Sequence, residues 1–102
     1  MVKKFRPVVL WSNRASAYFK NTYERIKKDS YSNAEKVKDG ITKTVNSLPD
    51  HPRKHPPDKY KKDNRGKHRA FEKYSYRVAY KITEKAIIIL RIRHVKQEPK
   101  VY

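Results

Sequence analysis

Two hydrophobic spacings divide the chain. Across "NRASAYFKNTYERIKK", Ala15, Phe19, Tyr23 and Ile26 recur at helical spacing, with Tyr18 and Thr22 close by. Ser12 precedes this run and suits an N-cap. "DSYSN" breaks the pattern, and Ser32 with Glu35 then forms an S-x-x-E capping signature that opens a second helix. Its apolar side is Ala34, Val37, Ile41, Val45 and Leu48. Gly40 lowers its propensity, and Pro49 sets its end near Leu48. The two runs predict an antiparallel helical hairpin.

Elsewhere the period is two. "FRPVVLW" reads as a short strand, with Pro7 favouring an edge or a strand start. "YRVAYKI" places Tyr76, Val78, Tyr80 and Ile82 on one face and Arg77, Ala79 and Lys81 on the other. "TEK" reverses the chain into "AIIILRIRHV", which is rich in β-branched residues. "HRAFEKYS" is a further strand whose inward phase the pattern does not fix. Between the helices and these strands, residues 49–67 contain four prolines and no periodic face, so they predict a long loop. The order strand–helix–helix–strand–strand–strand is that of an α+β domain, residues 1–102, with both helices on one sheet face. The opposite face must then carry basic residues or meet another chain.

Charge sharpens that last point. Lys and Arg number 27 against 10 Asp and Glu, a formal net charge of +17. Such self-repulsion calls for a polyanionic partner, either nucleic acid or an acidic protein. With no cysteine, disulfides, thiolate catalysis and Cys-ligated zinc are excluded. The sequence shows no signal peptide and no membrane-spanning run, so a cytoplasmic protein without a membrane partner is expected. His51, His55, His68 and His94 lack compact metal-ligand spacing, and Gly40 and Gly66 are the only glycines, so no glycine-rich phosphate loop exists. Neither a metal nor another cofactor is expected.

The candidate chemistry lies on the strands. Strict alternation puts Arg91 and Arg93 on one face, where they can converge with Arg77 and Lys81 into a phosphate-binding surface or remain a solvated sheet face. The same alternation sets His94 beside Leu90 and Ile92, as a strand-end histidine or a proton-transfer group. Glu72 is either a base or a salt-bridge partner for the basic sheet. Asp58, Asp63 and Glu72 form no obvious carboxylate pair. Tyr102 is a proton donor or a stacking ring, and Tyr60, Tyr74 and Tyr76 could stack on bases.

"VVLWSNRASAYFKNTYERIKKDSYSNAEKVKDGI" and "YRVAYKITEKAIIILRIRHVKQEP" resemble the RelE/ParE superfamily of type II toxin–antitoxin toxins, most closely in "WSNRA", "YRVAY" and "ILRIRHVKQEP". The resemblance spans almost the whole chain. It implies an N-terminal strand and helical hairpin on one face of a small curved antiparallel sheet, and a cognate antitoxin that covers the basic surface. It also implies one of two activities. RelE-like and YoeB-like members cleave mRNA on the ribosome; ParE-like members inhibit DNA gyrase without a nuclease centre.

The ribonuclease reading comes first from the sequence. It places Arg77 on the scissile phosphate, His94 or Tyr102 as proton donor and Glu72 as base in metal-independent attack by the 2′-OH. Arg91, Arg93, Lys96, Lys67, Arg69 and Lys81 then bind phosphate or RNA. Lys59, Lys61, Lys62 and Lys67 only loosely match the lysine cluster of RelE-like sites. Gyrase inhibition is the alternative.

Overall fold

A computed structural model describes residues 6–97 and 100–102. The elements are β1 (Val8–Trp11), α1 (Asn13–Asp29), α2 (Tyr31–Ser47), β2 (His68–Lys73), β3 (Tyr76–Ile82) and β4 (Ala86–His94). Two helices on one open four-stranded sheet give the expected α+β class. The strand order is β1-β4-β3-β2. β2, β3 and β4 form an antiparallel meander, while β1 joins the edge parallel to β4, so the sheet is mixed rather than wholly antiparallel.

Ser12 caps α1, its Oγ accepting from the Ala15 N–H at 3.1 Å. The second helix starts two residues earlier than the Ser32 signature implies. Ser30 ends α1, donating its N–H to the Ile26 carbonyl, and also caps α2 by accepting from the Asn33 N–H. One serine serves both helices because its extended backbone (φ −158°, ψ 109°) turns the chain between them. Glu35 is therefore free of any capping duty. It accepts a hydrogen bond from the Tyr23 hydroxyl and pairs with Lys38, tying the helices together. The bond to Glu35 pushes the Tyr23 phenol up to about 12.

The core lies between the hairpin and the sheet. Ala15, Ile41, Val45 and Leu48 meet Phe71, Val78, Tyr80, Ile87, Ile89 and Ile92, and Trp11 stacks on Phe19 at 5.2 Å. The phase of β4 has one irregularity. Ala79 pairs with Arg91 but Tyr80 pairs with Ile89, leaving Leu90 as an extra residue. Unbroken alternation would put Arg91 and Arg93 on the same face as buried Ile87 and Ile89. The bulge reverses the phase, so Ile92 returns to the core while both arginines leave it.

The β2–β3 connection is a two-residue turn with Tyr74 and Ser75 both at positive φ (50° and 69°). This backbone suits a tight hairpin, but Tyr74 and Ser75 lack the usual Asn-Gly signature that would mark such a turn. The turn folds the Tyr74 ring onto Gly40 of α2, where an added Cβ would lie 2.2 Å from the ring. The glycine thus admits a close approach that any side chain would obstruct. We expect Gly40→Ala to stabilise a Tyr74→Ala background by about 1 kcal/mol through helix propensity. In the wild-type background the steric conflict should cancel or reverse that gain. Urea denaturation of both pairs tests this, and the same stabilisation in both backgrounds would contradict it.

Candidate functional site

The face away from the helices is not bare. By alternation it receives Ala70 and Glu72 from β2, Arg77, Ala79 and Lys81 from β3, and Arg91 and Arg93 from β4. Ala70 and Ala79 are nevertheless buried. The long loop crosses the β2 edge, where Pro57 bridges to Arg69, and carries Asp58 across this face. Arg69 holds the crossing by donating to the carbonyls of Gly66, Arg53 and His55, at 3.0, 3.2 and 2.7 Å. Its fork is spent on the backbone, which weighs against the phosphate role expected for it. On the helix side of the same loop, His55 packs on Phe71, and the Tyr80 hydroxyl donates to the Pro52 carbonyl at 2.7 Å.

Asp58 is the centre of the covered face. It is 2% exposed, and its carboxylate accepts from Arg77 Nη2 at 2.9 Å, the Tyr102 hydroxyl at 2.6 Å and the Tyr60 N–H at 3.1 Å. Glu72 takes the other arm of Arg77, accepting from Nη1 at 3.0 Å. Asp58 and Glu72 therefore do form a carboxylate pair, with Arg77 between them. Their sequence separation and the unpatterned loop concealed it. Burial alone would raise the Asp58 pKa, but the bonds from Tyr102, Arg77 and the Tyr60 backbone outweigh it and hold the carboxyl below its usual range. Burial likewise opposes the charge on Arg77, and the two carboxylates more than compensate, so its pKa rises.

Residues 100–102 complete the cover. The Tyr102 N–H donates to the Tyr60 carbonyl and its own carbonyl accepts from the Lys62 N–H, at 2.9 and 2.6 Å. Arg91 lies 4.0 Å from the centroid of the Tyr102 ring and donates to the Lys100 carbonyl. Arg77 in turn lies 4.9 Å from the Tyr60 ring centroid. Burial and the bond to Asp58 raise the Tyr102 pKa well above that of an ordinary phenol, making it a weaker acid.

Arg77, Arg91, Arg93 and Glu72 do come together, lining a small cavity of about 50 Å³ along with Tyr60 and His94. His94 belongs in phase with Tyr76, and their rings meet edge to face at 5.1 Å. Its Nδ1 accepts from the Lys96 N–H at 3.0 Å. Lys67 and Lys96 are exposed outside the cavity lining, and Lys81 sits farther along β3, paired with His68. Among the described residues, no group of three His, Cys, Asp or Glu side chains is placed to hold a metal ion. No described helix is long and apolar enough to cross a membrane.

The ion pair sets a pH dependence. A depressed carboxyl pKa stabilises the fold fully above the unfolded value and loses that contribution as pH falls through the folded one. Asp58→Asn should therefore be less stable than wild type at neutral pH, and the gap should shrink as pH drops below about 4. A gap constant from neutral to acid pH, measured by urea denaturation, would contradict this assignment.

Comparison with known proteins places this geometry in a lineage. A search of curated proteins found no match. A solved structure described as "Chromosomal ParDE TA system from P. aeruginosa" superposes with a TM-score of 0.69 at 19% identity, covering 89% of this chain and 98% of that one. At that identity the likeness establishes the fold. The family model described as "ParE toxin of type II toxin-antitoxin system, parDE" matches residues 9–99. That match takes in the hairpin, the covered face and nearly all of the sheet, and the chain belongs to the ParE toxin family of type II toxin–antitoxin systems.

Proposed function

We propose that this toxin acts on DNA gyrase, is neutralised by a cognate antitoxin, and has no ribonuclease activity. This reverses the order suggested by the sequence, and one observation carries the reversal. Arg77, the cation expected on the scissile phosphate, is already held between Asp58 and Glu72. Cleavage without a metal requires a cation free to receive charge as it develops on the phosphate. A phosphodiester approaching Arg77 would instead meet two carboxylates, one of them buried.

The other candidate groups point the same way. The Tyr102 hydroxyl donates a hydrogen bond to Asp58, and its raised pKa suits it poorly to protonating a leaving oxygen. Glu72 accepts from the Arg77 guanidinium at 3.0 Å, an ion pair that accounts for its placement. His94 packs against Tyr76, a core residue on the helix side of the sheet. Each group imagined as catalytic has a structural bond that accounts for its placement. Membership in the ParE family supports gyrase as the target, since inhibition without nuclease chemistry is the activity that the ParE-like resemblance implies.

Purified toxin should stop gyrase supercoiling while leaving ribosome-bound message intact, with both reactions run on the same preparation. Arg77→Ala should act through the fold, costing about 3 kcal/mol because it leaves Asp58 charged and buried. Message cleavage by the wild type that disappears in a still-folded Arg77→Ala variant would restore the ribonuclease reading.

A further inference from the structure

β1 ends at Trp11, opposite Ile89, yet β4 continues to His94. The first turns of α1 occupy the flank left open, where the Ser12 hydroxyl donates to the Leu90 carbonyl at 2.9 Å. Between helix and strand lies a cleft of about 200 Å³, lined by Arg14, Arg91, Arg93 and Lys100 with Tyr18 and Gln97. No carboxylate is among its described lining residues, and the first turn of α1 has no acidic residue either. The Gln97 amide is held by its oxygen, which accepts from the Tyr18 hydroxyl and the His94 N–H, so its nitrogen is the end left to donate. The neighbouring cavity differs, because there Asp58 and Glu72 offset Arg77.

We propose that this cleft binds a backbone phosphate of duplex DNA, so that the toxin grips nucleic acid without cutting it or reading its bases. The site goes beyond the gyrase reading, and only its use on the DNA that gyrase holds rests on that reading. Three observations favour it. First, Arg91 is pre-positioned: its guanidinium is fixed over the Tyr102 ring and by the Lys100 carbonyl, so little side-chain freedom remains to be lost on binding. Its rigid fork suits phosphate oxygens, and an anion would relieve its crowding by Arg93 and Arg14. Second, the cations continue in a row. Arg14, Tyr18 and Arg25 share one stripe of α1 by helical spacing, and Arg25 Nη2 donates to the hydroxyl of Tyr76, the partner of His94 at the end of β4. From Arg14 to Arg25 is about 16 Å of helix, or about five phosphate steps along one DNA strand. A single carboxylate would answer one point of that row, whereas a phosphate backbone runs along it. Third, the surroundings suit a duplex better than a single strand. Unpaired bases need open rings to stack on, but Tyr60 lies under Arg77, and Tyr102 lies against Arg91 and Lys61. Bases already stacked in a duplex make no such demand.

Fluorescence anisotropy with a labelled DNA duplex of about 20 base pairs, repeated at salt from about 50 to 200 mM, tests the site. Arg14→Gln and Lys100→Gln change exposed side chains and should each weaken binding roughly tenfold, the loss of one charge-assisted hydrogen bond. Each should also lower the slope of log affinity against log salt by about 0.9, whatever the DNA sequence. Lys43→Gln removes the same charge from an exposed position on α2 and should change affinity less than about twofold, as a screened remote charge would. Equal losses from Lys43→Gln and Arg14→Gln would reduce the binding to the overall +17 field and overturn the proposal. So would indifference to Arg14→Gln and Lys100→Gln. Arg14-dependent binding of hexaglutamate, or of the single strand, that is tighter than that of the duplex would overturn the assignment to duplex DNA. Gyrase inhibition by the same wild-type preparation separates the two readings. If it persists while the cleft variants bind DNA normally, the cleft assignment alone falls; if cleft-dependent DNA binding occurs without inhibition, the site stands and the gyrase reading falls.

Discussion

A carboxylate stripped of water is among the most expensive groups a small domain can bury, and Asp58 is tolerated only because three donors meet it. Those donors come from β3, from the loop itself and from Tyr102. Through this one side chain a long, proline-rich loop and the last residues of the chain are fastened to the same patch of sheet. Without it the loop would have few ties to this face, because its sequence offers no apolar stripe to pack. The ion pair thus holds the cover in place, and the cover decides what the face can do.

The second constraint is the bulge at Leu90. It lets a single strand serve a dry core with Ile87, Ile89 and Ile92 while presenting Arg91 and Arg93 to the other side. The basic residues then fall into two electrostatic settings a few residues apart. Around Arg77 the protein supplies its own counter-charges. Around Arg14, Arg91 and Lys100 the described lining residues include no carboxylate.

Much of the fold was legible because period and capping reflect local physics. The helical stripes, the Ser12 cap, the alternation of β3 and the helix-covered sheet all follow from spacing within single elements. What escaped was non-local or carried by backbone. Ser30 serves two helices through one extended conformation, which the more conspicuous Ser32–Glu35 pattern masked. The Tyr74–Ser75 turn uses positive φ without glycine or asparagine. The parallel pairing of β1 with β4 joins opposite ends of the chain. In the site, the arginines could be assigned to a face, but their partners could not. Asp58 sits in a stretch without periodicity, so nothing in the sequence aims it at Arg77. Arg14 carried no signal within its own helix, since its neighbours lie on β4 and at Lys100.

The central claim is that Arg77 serves as the counter-ion of a buried carboxylate, and a double-mutant cycle measures that directly. Unfolding free energies of wild type, Asp58→Asn, Arg77→Gln and the double variant give the coupling between the two side chains. The structure predicts about 2–3 kcal/mol, with the double variant less destabilised than the sum of the singles. Additive effects, with coupling below about 0.5 kcal/mol, would show that the two groups act independently and would contradict the account.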